Sequence, residues 1–333
     1  MLTTVQFGTV VMLGAALLAG DARAGTRMVW PAPPDEPKIA FVETIQGSIG
    51  PGAPVSLLGR VGHWLTGSGQ GTHSLVKPFG IGLDEDGNIC LTDTGAGAVC
   101  FFDGAKKKWL RWEKVGGMQF VSPVAVEKRN GTLFVADSGL GRIVAFGLDG
   151  ALRFVITNHL VQPSGIAIAN DRLAIVDSAR HAVVLFGMDG TYVSEFGGRG
   201  AGPGEFNYPT HIASDETGRL LVTDSMNSRV QIFDGSGKFL RQFGSRGDVP
   251  GCFSRPKGVA VDSFGHIYVV DALFGNVQLF NGDGQLLMSL GRSGTEPGEF
   301  WLPNGVAISR DNKIYIADSY NRRVQVLQFI GTP

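Results

Sequence analysis

Cysteine and charge are both scarce in this sequence. The 333 residues include three cysteines, Cys90, Cys100 and Cys252, and no C-x-x-C pair. This excludes a zinc ribbon, a thioredoxin-like redox motif and covalent attachment of a c-type haem. Charged residues make up only 18% and the net charge is −1, so no overall charge attracts nucleic acid or an anionic membrane. RNA and other nucleic acids are therefore not expected partners.

Long hydrophobic runs are also missing. The N-terminal run from Val10 to Gly20 has 11 residues, whereas a membrane-spanning helix needs about 20. It is followed by Ala22-Arg23-Ala24, a pattern typical of signal-peptide cleavage sites. We therefore expect residues 1–24 to be a signal peptide, 25–37 to be a Pro-rich segment, and the protein to be periplasmic or extracellular without a membrane span. A buried helix in the mature protein is the alternative reading of the apolar run.

Glycine, by contrast, is abundant (49 residues, with 16 prolines), and the sequence repeats. A proline that precedes a short apolar strand recurs at spacings of 45, 40, 46, 47 and 47 residues. An aspartate that closes a second strand follows each proline after 14 or 15 residues. The prolines are Pro78, Pro123, Pro163, Pro209, Pro256 and Pro303; the aspartates are Asp93, Asp137, Asp177, Asp224, Asp271 and Asp318. Two markers that stay in phase over six units indicate a repeat architecture.

Each unit contains four short β-branched or apolar runs separated by Gly-bearing turns, the pattern of a four-stranded antiparallel meander. The strands are apolar on both faces, so each sheet needs a neighbour on either side. A closed ring of such sheets supplies these neighbours. The sequence therefore predicts an all-β, six-bladed β-propeller of four-stranded antiparallel blades over residues 38–333.

The last unit ends at Pro333 without a fourth strand, while Ile39–Ile45 forms a strand pattern without a unit. We expect Ile39–Ile45 to complete the last blade and close the ring, because this buries an apolar strand and removes an exposed edge. Residues 46–77 form an irregular insertion before the first blade. Within it, Val55–Leu65 has the spacing of one or two helical turns, either a brace against the propeller or a lid.

The segments Pro209–Phe233, Pro256–Phe280 and Pro303–Leu327 follow the pattern P-x-G-V-A-x-D, I-Y-V-A-D-S, N-x-R-V-Q-V-F, with small departures. In this the chain resembles the NHL-repeat family of six-bladed propellers, and the N-terminal WPAPPDEPKIAFVETIQG together with the Pro-Gly-Glu-Phe loops resembles an exported bacterial subgroup. The family resemblance implies the propeller fold but not one function, because such propellers include RNA binders, sensor domains, scaffolds and a few enzymes. Exported relatives are often encoded near multihaem cytochromes.

The repeated aspartates have partners at a constant spacing. An arginine follows the aspartate after five residues in three units, which suggests a salt bridge or a loop hydrogen bond. These pairs are Asp137/Arg142, Asp224/Arg229 and Asp318/Arg323. Because the pattern repeats with the fold, we interpret all six aspartates and these arginines as structural; cation binding by the aspartates is the alternative.

The resemblance also implies that the one or two residues after each proline line the central mouth. There the sequence places His211, Lys257, Asn304 and Thr210 on adjacent blades, with Tyr208, Arg255 and Trp301 just before the same prolines. This polar, partly basic side opposes an apolar side at Phe79 and Val124. It could hold an anionic small molecule, an acidic peptide or a protein partner, or it could be ordinary surface.

Catalytic constellations are sparse at these positions. A catalytic zinc needs about three protein ligands, as in the peptidylglycine-type lyases, and a lactonase calcium site needs axial oxygens. The mouth offers one histidine, His211, and one such oxygen donor, Asn304. G-x-S-x-G and Walker sequences are absent. We therefore expect no catalytic residues, no metal and no cofactor, with a lyase- or lactonase-type enzyme as the alternative.

The cysteines leave one question open. Cys90 and Cys100 lie on neighbouring strands of the first unit, so they form a disulfide or remain buried thiols, depending on the strand register. Cys252 is expected to be unpaired.

The sequence as a whole predicts an exported, non-enzymatic binding or scaffold propeller. Its partner would be a protein, such as a multihaem cytochrome or another envelope redox protein, docked on the face that carries the Pro-Gly-Glu-Phe loops.

Overall fold

The computed structural model describes residues 28–47 and 74–331. Two predictions, the signal peptide at 1–24 and the helical turns within 55–65, lie outside these residues. The described chain folds into six antiparallel sheets arranged as the blades of a propeller. None of its helical segments is long and apolar enough to cross a membrane.

The blades follow one another along the chain. Each of the first five contains four consecutive strands, from the axis outward, whereas the sixth takes its outer strand from the N-terminal part of the chain. Blade 1 contains β3 (Pro78–Leu83), β4 (Ile89–Asp93), β5 (Ala98–Asp103) and β6 (Lys108–Trp112). A small hairpin of β7 (Lys114–Val115) and β8 (Met118–Gln119) precedes blade 2, which contains β9 (Pro123–Arg129), β10 (Thr132–Asp137), β11 (Arg142–Gly147) and β12 (Leu152–Ile156). Blade 3 contains β13 (Pro163–Ala169), β14 (Arg172–Asp177), β15 (Ala182–Gly187) and β16 (Tyr192–Gly197).

The second half of the ring repeats this order. Blade 4 contains β17 (Pro209–Ser214), β18 (Leu220–Asp224), β19 (Arg229–Phe233) and β20 (Phe239–Phe243), and blade 5 contains β21 (Pro256–Val261), β22 (Ile267–Asp271), β23 (Asn276–Phe280) and β24 (Leu286–Leu290). Blade 6 contains β25 (Val306–Ile308), β26 (Lys313–Asp318) and β27 (Arg323–Phe329). Two single 3-10 turns lie at Ser138–Leu140 and Ser225–Asn227.

The N-terminal strand closes the ring, as the sequence predicted. Strand β2 (Ile39–Ile45) pairs antiparallel with β27, with Ile39 opposite Phe329, and becomes the outer strand of blade 6. The short β1 (Val29–Trp30) pairs with β2 and adds a fifth strand to this sheet. Ile39 and Ala40 are fully buried, so the closure also buries apolar surface.

The hydrophobic core lies between neighbouring blades. All five residues of β4 and all five of β22 are buried, as expected for strands covered on both faces. One cluster of buried residues, for example, joins Phe101 of blade 1 to Val126 and Leu133 of blade 2. Each blade is therefore stabilised by its two neighbours, which is the physical reason for the repeat.

The six repeated aspartates hold the loops that lead into the inner strands, and all six are fully buried. Asp93, for example, accepts hydrogen bonds of 2.8 Å from the backbone N–H groups of Val76 and Lys77, the two residues before Pro78. The other aspartates accept from one or both of the equivalent N–H groups in their own blades. The carboxylates therefore provide hydrogen-bond acceptors for the N–H groups just before each proline, which lie outside the sheet.

The three arginines at the constant spacing bind the same carboxylates. Arg229 and Arg323 donate through Nε to their aspartates at 2.8 and 2.7 Å, and Arg142 reaches Asp137 at 3.3 Å. Arg229 and Arg323 also donate to backbone carbonyls of the loops before blades 4 and 6. The structural interpretation of these pairs therefore fits their geometry.

Three similar long loops lead into blades 4, 5 and 6, and one aromatic residue anchors each. Phe206, Phe253 and Phe300 are fully buried. Phe206 packs against Phe233 with ring centroids 5.6 Å apart, and Phe253 packs in the same way against Phe280. The Pro-Gly-Glu-Phe loops, and the sister loop with Cys252 in place of Glu, are thus attached to the core.

The disulfide alternative for Cys90 and Cys100 is wrong. Cys90 is opposite Phe101 in the β4–β5 register, and Cys100 is opposite Leu91. Neighbours one residue out of register point to opposite faces of a sheet. Cys90 accordingly packs between blades 1 and 2, Cys100 between blades 6 and 1, and both are free buried thiols. Cys252 is also free, as expected.

Candidate functional site

The six inner strands begin at the same end of the propeller axis, which we call the mouth face. The residue after each proline points toward the mouth. Five of these six residues line a pocket of about 310 Å³: Phe79, Val124, Ser164, Thr210 and Lys257. The sixth, Asn304, holds the equivalent position in blade 6 and is only 8% exposed.

The second residue after each proline has a different role from the one the sequence suggested. These residues line a narrower channel of about 210 Å³ behind the mouth. At four of the six positions the residue is glycine, because the next inner strand passes very close. A Cβ added at Gly258 would lie 2.5 Å from the carbonyl oxygen of Asn304, and one at Gly305 would lie 2.6 Å from that of Phe79. His211 is the large residue at this position, and it lines both the channel and the mouth pocket.

Several polar atoms at the mouth are buried without a hydrogen-bond partner in the described part of the chain. They are the hydroxyl oxygen of Thr210, both ring nitrogens of His211 and the side-chain oxygen of Asn304. Leaving such a group unpaired costs about 1–3 kcal/mol. Blades 4 and 6 carry this cost at the mouth, so these polar groups are available to a ligand that enters there.

Burial also changes the ionisation of His211 and of its neighbour Lys257. Burial, and then the nearby charge of Lys257, lowers the pKa of His211 to about 3, although the neighbouring Asn304 side chain acts in the opposite direction. The imidazole is therefore neutral at physiological pH. Burial, and then the charge of Arg255, lowers the pKa of Lys257 to about 8. Lys257 is therefore still mostly protonated at pH 7 and forms no ion pair with any described residue.

The remaining predicted site residues lie on the rim of the pocket. Tyr208 and Trp301 are 47% and 51% exposed, and Arg255 is exposed beside them. Trp301 packs against Tyr320 with ring centroids 5.7 Å apart. The structure thus brings His211, Lys257 and Thr210 into one pocket and leaves these three residues at its edge.

Two features of the site were not predicted from the sequence. The first is Lys77, which lines the pocket and places its ammonium 4.9 Å from the ring centre of Tyr320. The second is the facing pair of Phe79 in blade 1 and His211 in blade 4, whose rings lie 6.3 Å apart across the mouth at an interplanar angle of 22°.

A third feature is a set of exposed apolar side chains around the mouth, which we call the apolar ring and of which the sequence analysis named only Tyr208 and Trp301. Its members are the residues just before the prolines and in the turns after the aspartates, and every blade contributes at least one. They are Val76, Val121, Leu140, Val161, Tyr208, Met226, Leu273, Trp301 and Tyr320, each 41–61% exposed. Comparing the residue two positions before each proline, which is Val, Val, Val, Asn, Ser and Trp, would have given part of this signal.

The opposite end of the axis has another character. A wider depression of about 660 Å³ is lined by eight carboxylates and four cations. Lys128 forms a buried ion pair with Asp84 at 2.9 Å there, and burial raises the pKa of Glu127 to about 8. Among the described residues no group of three or more His, Cys, Asp or Glu side chains has the arrangement of a metal site.

The fold and this mouth define the chain as a six-bladed β-propeller. A family model described as a 6-bladed beta-propeller matches residues 156–219 and 213–273, and the NHL-repeat family model matches residues 300–327. The chain is therefore a six-bladed propeller with an NHL repeat, and the resemblance of its motifs to the NHL-repeat family is confirmed, while the exported subgroup stays a prediction. No curated protein matches the sequence.

Solved structures share the fold at low sequence identity. A streptogramin B lyase superimposes with a TM-score of 0.57 at 14% identity, over 76% of this chain and 93% of the lyase. Virginiamycin B lyase from Staphylococcus aureus gives 0.56 at 15%, over 77% and 96%. Hydrazine synthase from Kuenenia stuttgartiensis gives 0.56 at 15%, over 79% and 99%. At these identities the likeness shows the propeller fold alone.

Proposed function

We propose that this chain is an exported, non-enzymatic propeller that docks a protein partner on its mouth face. The observation that carries the proposal is the apolar ring. Large exposed apolar patches on soluble proteins mark interaction surfaces, whereas scattered single residues do not. Nine exposed apolar residues surround the mouth, while Phe264 and Ile330 are the exposed large ones in the described turns and strand ends near the β21–β22 turn of the opposite face.

The mouth face is also rigid enough to act as a preformed docking surface. The loops that carry Val76, Val121, Val161 and Trp301 are tied to the buried aspartates by their own backbone N–H groups. Little conformational entropy is therefore lost when a partner binds. The exposed aromatic residues of the ring, such as Trp301, belong to the type that dominates binding energy at interfaces.

The charges beside the ring indicate the kind of partner. Lys77, Arg255, Lys257 and Arg322 form no ion pair within the described residues. A partner with an apolar patch bordered by carboxylates would complement them and associate faster at low salt. The resemblance to exported bacterial relatives suggests a multihaem cytochrome or another envelope redox protein as the first class to test.

The experiment is affinity capture from the native envelope fraction, with partners identified by mass spectrometry. Val121→Asp and Val161→Asp place charges in the apolar ring at 57% and 61% exposed positions. Leu240→Asp and Leu287→Asp are matched controls, because they are similarly exposed but lie on outer strands. We expect the ring variants to lose the captured partner and the controls to keep it. Equal capture by all four variants would contradict docking on this face.

Export is a separate part of the proposal and has its own test. Cleavage after Ala24 predicts a mature N-terminus at Gly25. Sequencing the N-terminus of the native protein from the envelope or culture medium checks this. A native protein that retains residues 1–24 and stays in the cytoplasm would refute export.

Lyase- or lactonase-type chemistry at the mouth stays the second candidate, supported by the fold similarity to two lyases. Elemental analysis of the purified protein tests it, because both enzyme classes expected from the resemblance use a bound metal. Stoichiometric metal would favour the enzyme over the docking module.

A further inference from the structure

The mouth pocket is lined by cations and hydrogen-bonding groups but by no carboxylate among the described residues. Lys77 and Lys257 are the charged groups in its wall, and Ser164 and Thr210 contribute hydroxyls. His211 is neutral, so one ring nitrogen donates and the other accepts. This arrangement favours an anion over a cation or a neutral polar molecule.

Phe79 and Val124 form an apolar side of the same pocket. The volume of about 310 Å³ is at the lower end of the range for ligand pockets, roughly 300–1,000 Å³. The pocket is therefore suited to a small molecule or a single side chain, with an apolar body against Phe79 and a charged end near Lys257. We propose that the mouth pocket binds a carboxylate group carried on a small apolar body.

The backbone explains why a carboxylate fits better than a phosphate. Phosphate sites usually combine a lysine or an arginine with several free backbone N–H groups. Here the N–H groups beside the mouth are already bound by the repeated aspartates, as those of Val76 and Lys77 are by Asp93. The prolines have none, and the N–H of Gly80 donates to Thr92. None of these N–H groups is free for a ligand, and Lys77 and Lys257 are the charged groups of the pocket wall.

A bound carboxylate would also provide partners for the buried polar groups. It can accept hydrogen bonds from the Thr210 hydroxyl, from one nitrogen of His211 and from the Lys257 ammonium. The Thr210 hydroxyl and the His211 ring nitrogens are shielded from bulk water in the free protein. We therefore expect their side chains to change rotamers when the ligand enters, a common adjustment on binding.

The carboxylate could belong to a free small acid or to an acidic residue of the docked partner. The first source does not rest on the proposed docking function; the second does. The test uses purified protein, isothermal titration with benzoate as the probe, and benzyl alcohol and benzylamine as neutral and cationic analogues. We expect benzoate to bind, Lys257→Met to weaken it at least tenfold, and Lys257→Arg to retain part of the affinity. Lys238→Met, an exposed lysine on an outer turn of blade 4, should leave binding unchanged.

Circular dichroism and the thermal midpoint show whether each variant is folded. Benzoate binding with equal affinity to wild type and folded Lys257→Met, or equal binding of the three probes, would overturn the proposal. If benzoate does not bind but Lys257→Met loses the captured partner that Lys238→Met keeps, the partner supplies the carboxylate. If neither benzoate binding nor capture depends on Lys257, the proposal is wrong. Because Val121→Asp leaves the pocket wall intact, a failed docking proposal would not change the benzoate result.

Discussion

Ser319 of blade 6 donates a hydrogen bond of 2.6 Å to the backbone carbonyl of Pro78, the first residue of blade 1. Ser178 and Ser225 make the same bond to the first proline of the next blade, at 2.5 and 2.8 Å. These three Asp-Ser pairs of the sequence are therefore links between blades. The two terminal segments of the chain meet inside blade 6, between β2 and β27, and the junction of blades 6 and 1 uses the same contact as two other junctions.

Ring closure by β2 should dominate the stability of the propeller. Deleting residues 25–45 removes the buried Ile39 and Ala40 and exposes the edge of β27. We expect a steep fall in the thermal midpoint, and for Ile39→Ala a loss of about 2–5 kcal/mol in the free energy of unfolding. Differential scanning calorimetry and denaturant titration measure the two effects. Val42→Ala, at a 40% exposed position of the same strand, is the control and should have little effect.

The buried aspartates should differ in importance according to whether an arginine accompanies them. Asp318→Ala leaves Arg323 buried without its ion partner, which costs about 3–5 kcal/mol. In blade 5 Asn276 stands where blade 6 has Arg323, so Asp271→Ala removes only hydrogen bonds to N–H groups and should cost about 1–3 kcal/mol. Chemical denaturation of the two variants compares them; a larger loss for Asp271→Ala would contradict this role of the arginine.

The repeat predicted the blades well because each marker residue makes a contact that recurs in every blade. Asp93 and its equivalents hold the loop before the inner strand, so their phase in the sequence is the phase of the fold. The closing strand was predictable for a similar reason, since Ile39–Ile45 was an apolar strand without a sheet.

The site was only partly predictable, because side-chain direction depends on contacts between blades. The position that His211 occupies in blade 4 is glycine in four other blades, because the inner strand of the next blade passes close to it. The sequence of a single unit does not reveal this contact. Whether Cys90 and Cys100 point to the same face depended on the exact register of β4 and β5, because a difference of one residue places a side chain on the other face of the sheet. Lys77 and the apolar ring lie in turns, where the sequence pattern does not indicate which residues meet around the axis.

The three thiols should react in a fixed order. Burial raises the pKa of Cys100 to about 12 and raises that of Cys90 well above its usual value, so neither forms the reactive thiolate at neutral pH. Cys252 is partly exposed in the loop before blade 5. Thiol titration should therefore detect one fast group in the native protein and three after denaturation without reductant. A count of one after denaturation would mean that Cys90 and Cys100 are bridged.

Removing the unpaired hydroxyl at the mouth should stabilise the free protein. Thr210→Val keeps the shape of the side chain but eliminates a buried hydroxyl that has no partner, so we expect a gain of up to about 1 kcal/mol. Ser178→Ala is the contrasting variant, because that hydroxyl is bonded to Pro209, and it should lose about 0.5–1.5 kcal/mol. Both are measured by denaturant unfolding. A clear loss for Thr210→Val would mean that its hydroxyl is already satisfied, for example by water.

The affinity of the mouth pocket for benzoate should fall as the pH rises through about 8. The pKa of Lys257 in the free protein is about 8, and a bound carboxylate favours the protonated amine, so binding takes up a proton above that pH. Of the other groups at the mouth, His211 has a pKa of about 3 and is neutral throughout; Lys77 lines the same pocket and Arg255 lies beside Lys257. Affinity should therefore be constant between pH 6 and 7 and decrease by up to tenfold per pH unit above 8. Titration calorimetry in buffers of different ionisation enthalpy detects the proton uptake directly. The Lys257→Arg variant, whose guanidinium stays charged, should bind with a flat profile over the same range; a wild-type affinity that rises above pH 8 would show that the ammonium does not hold the carboxylate.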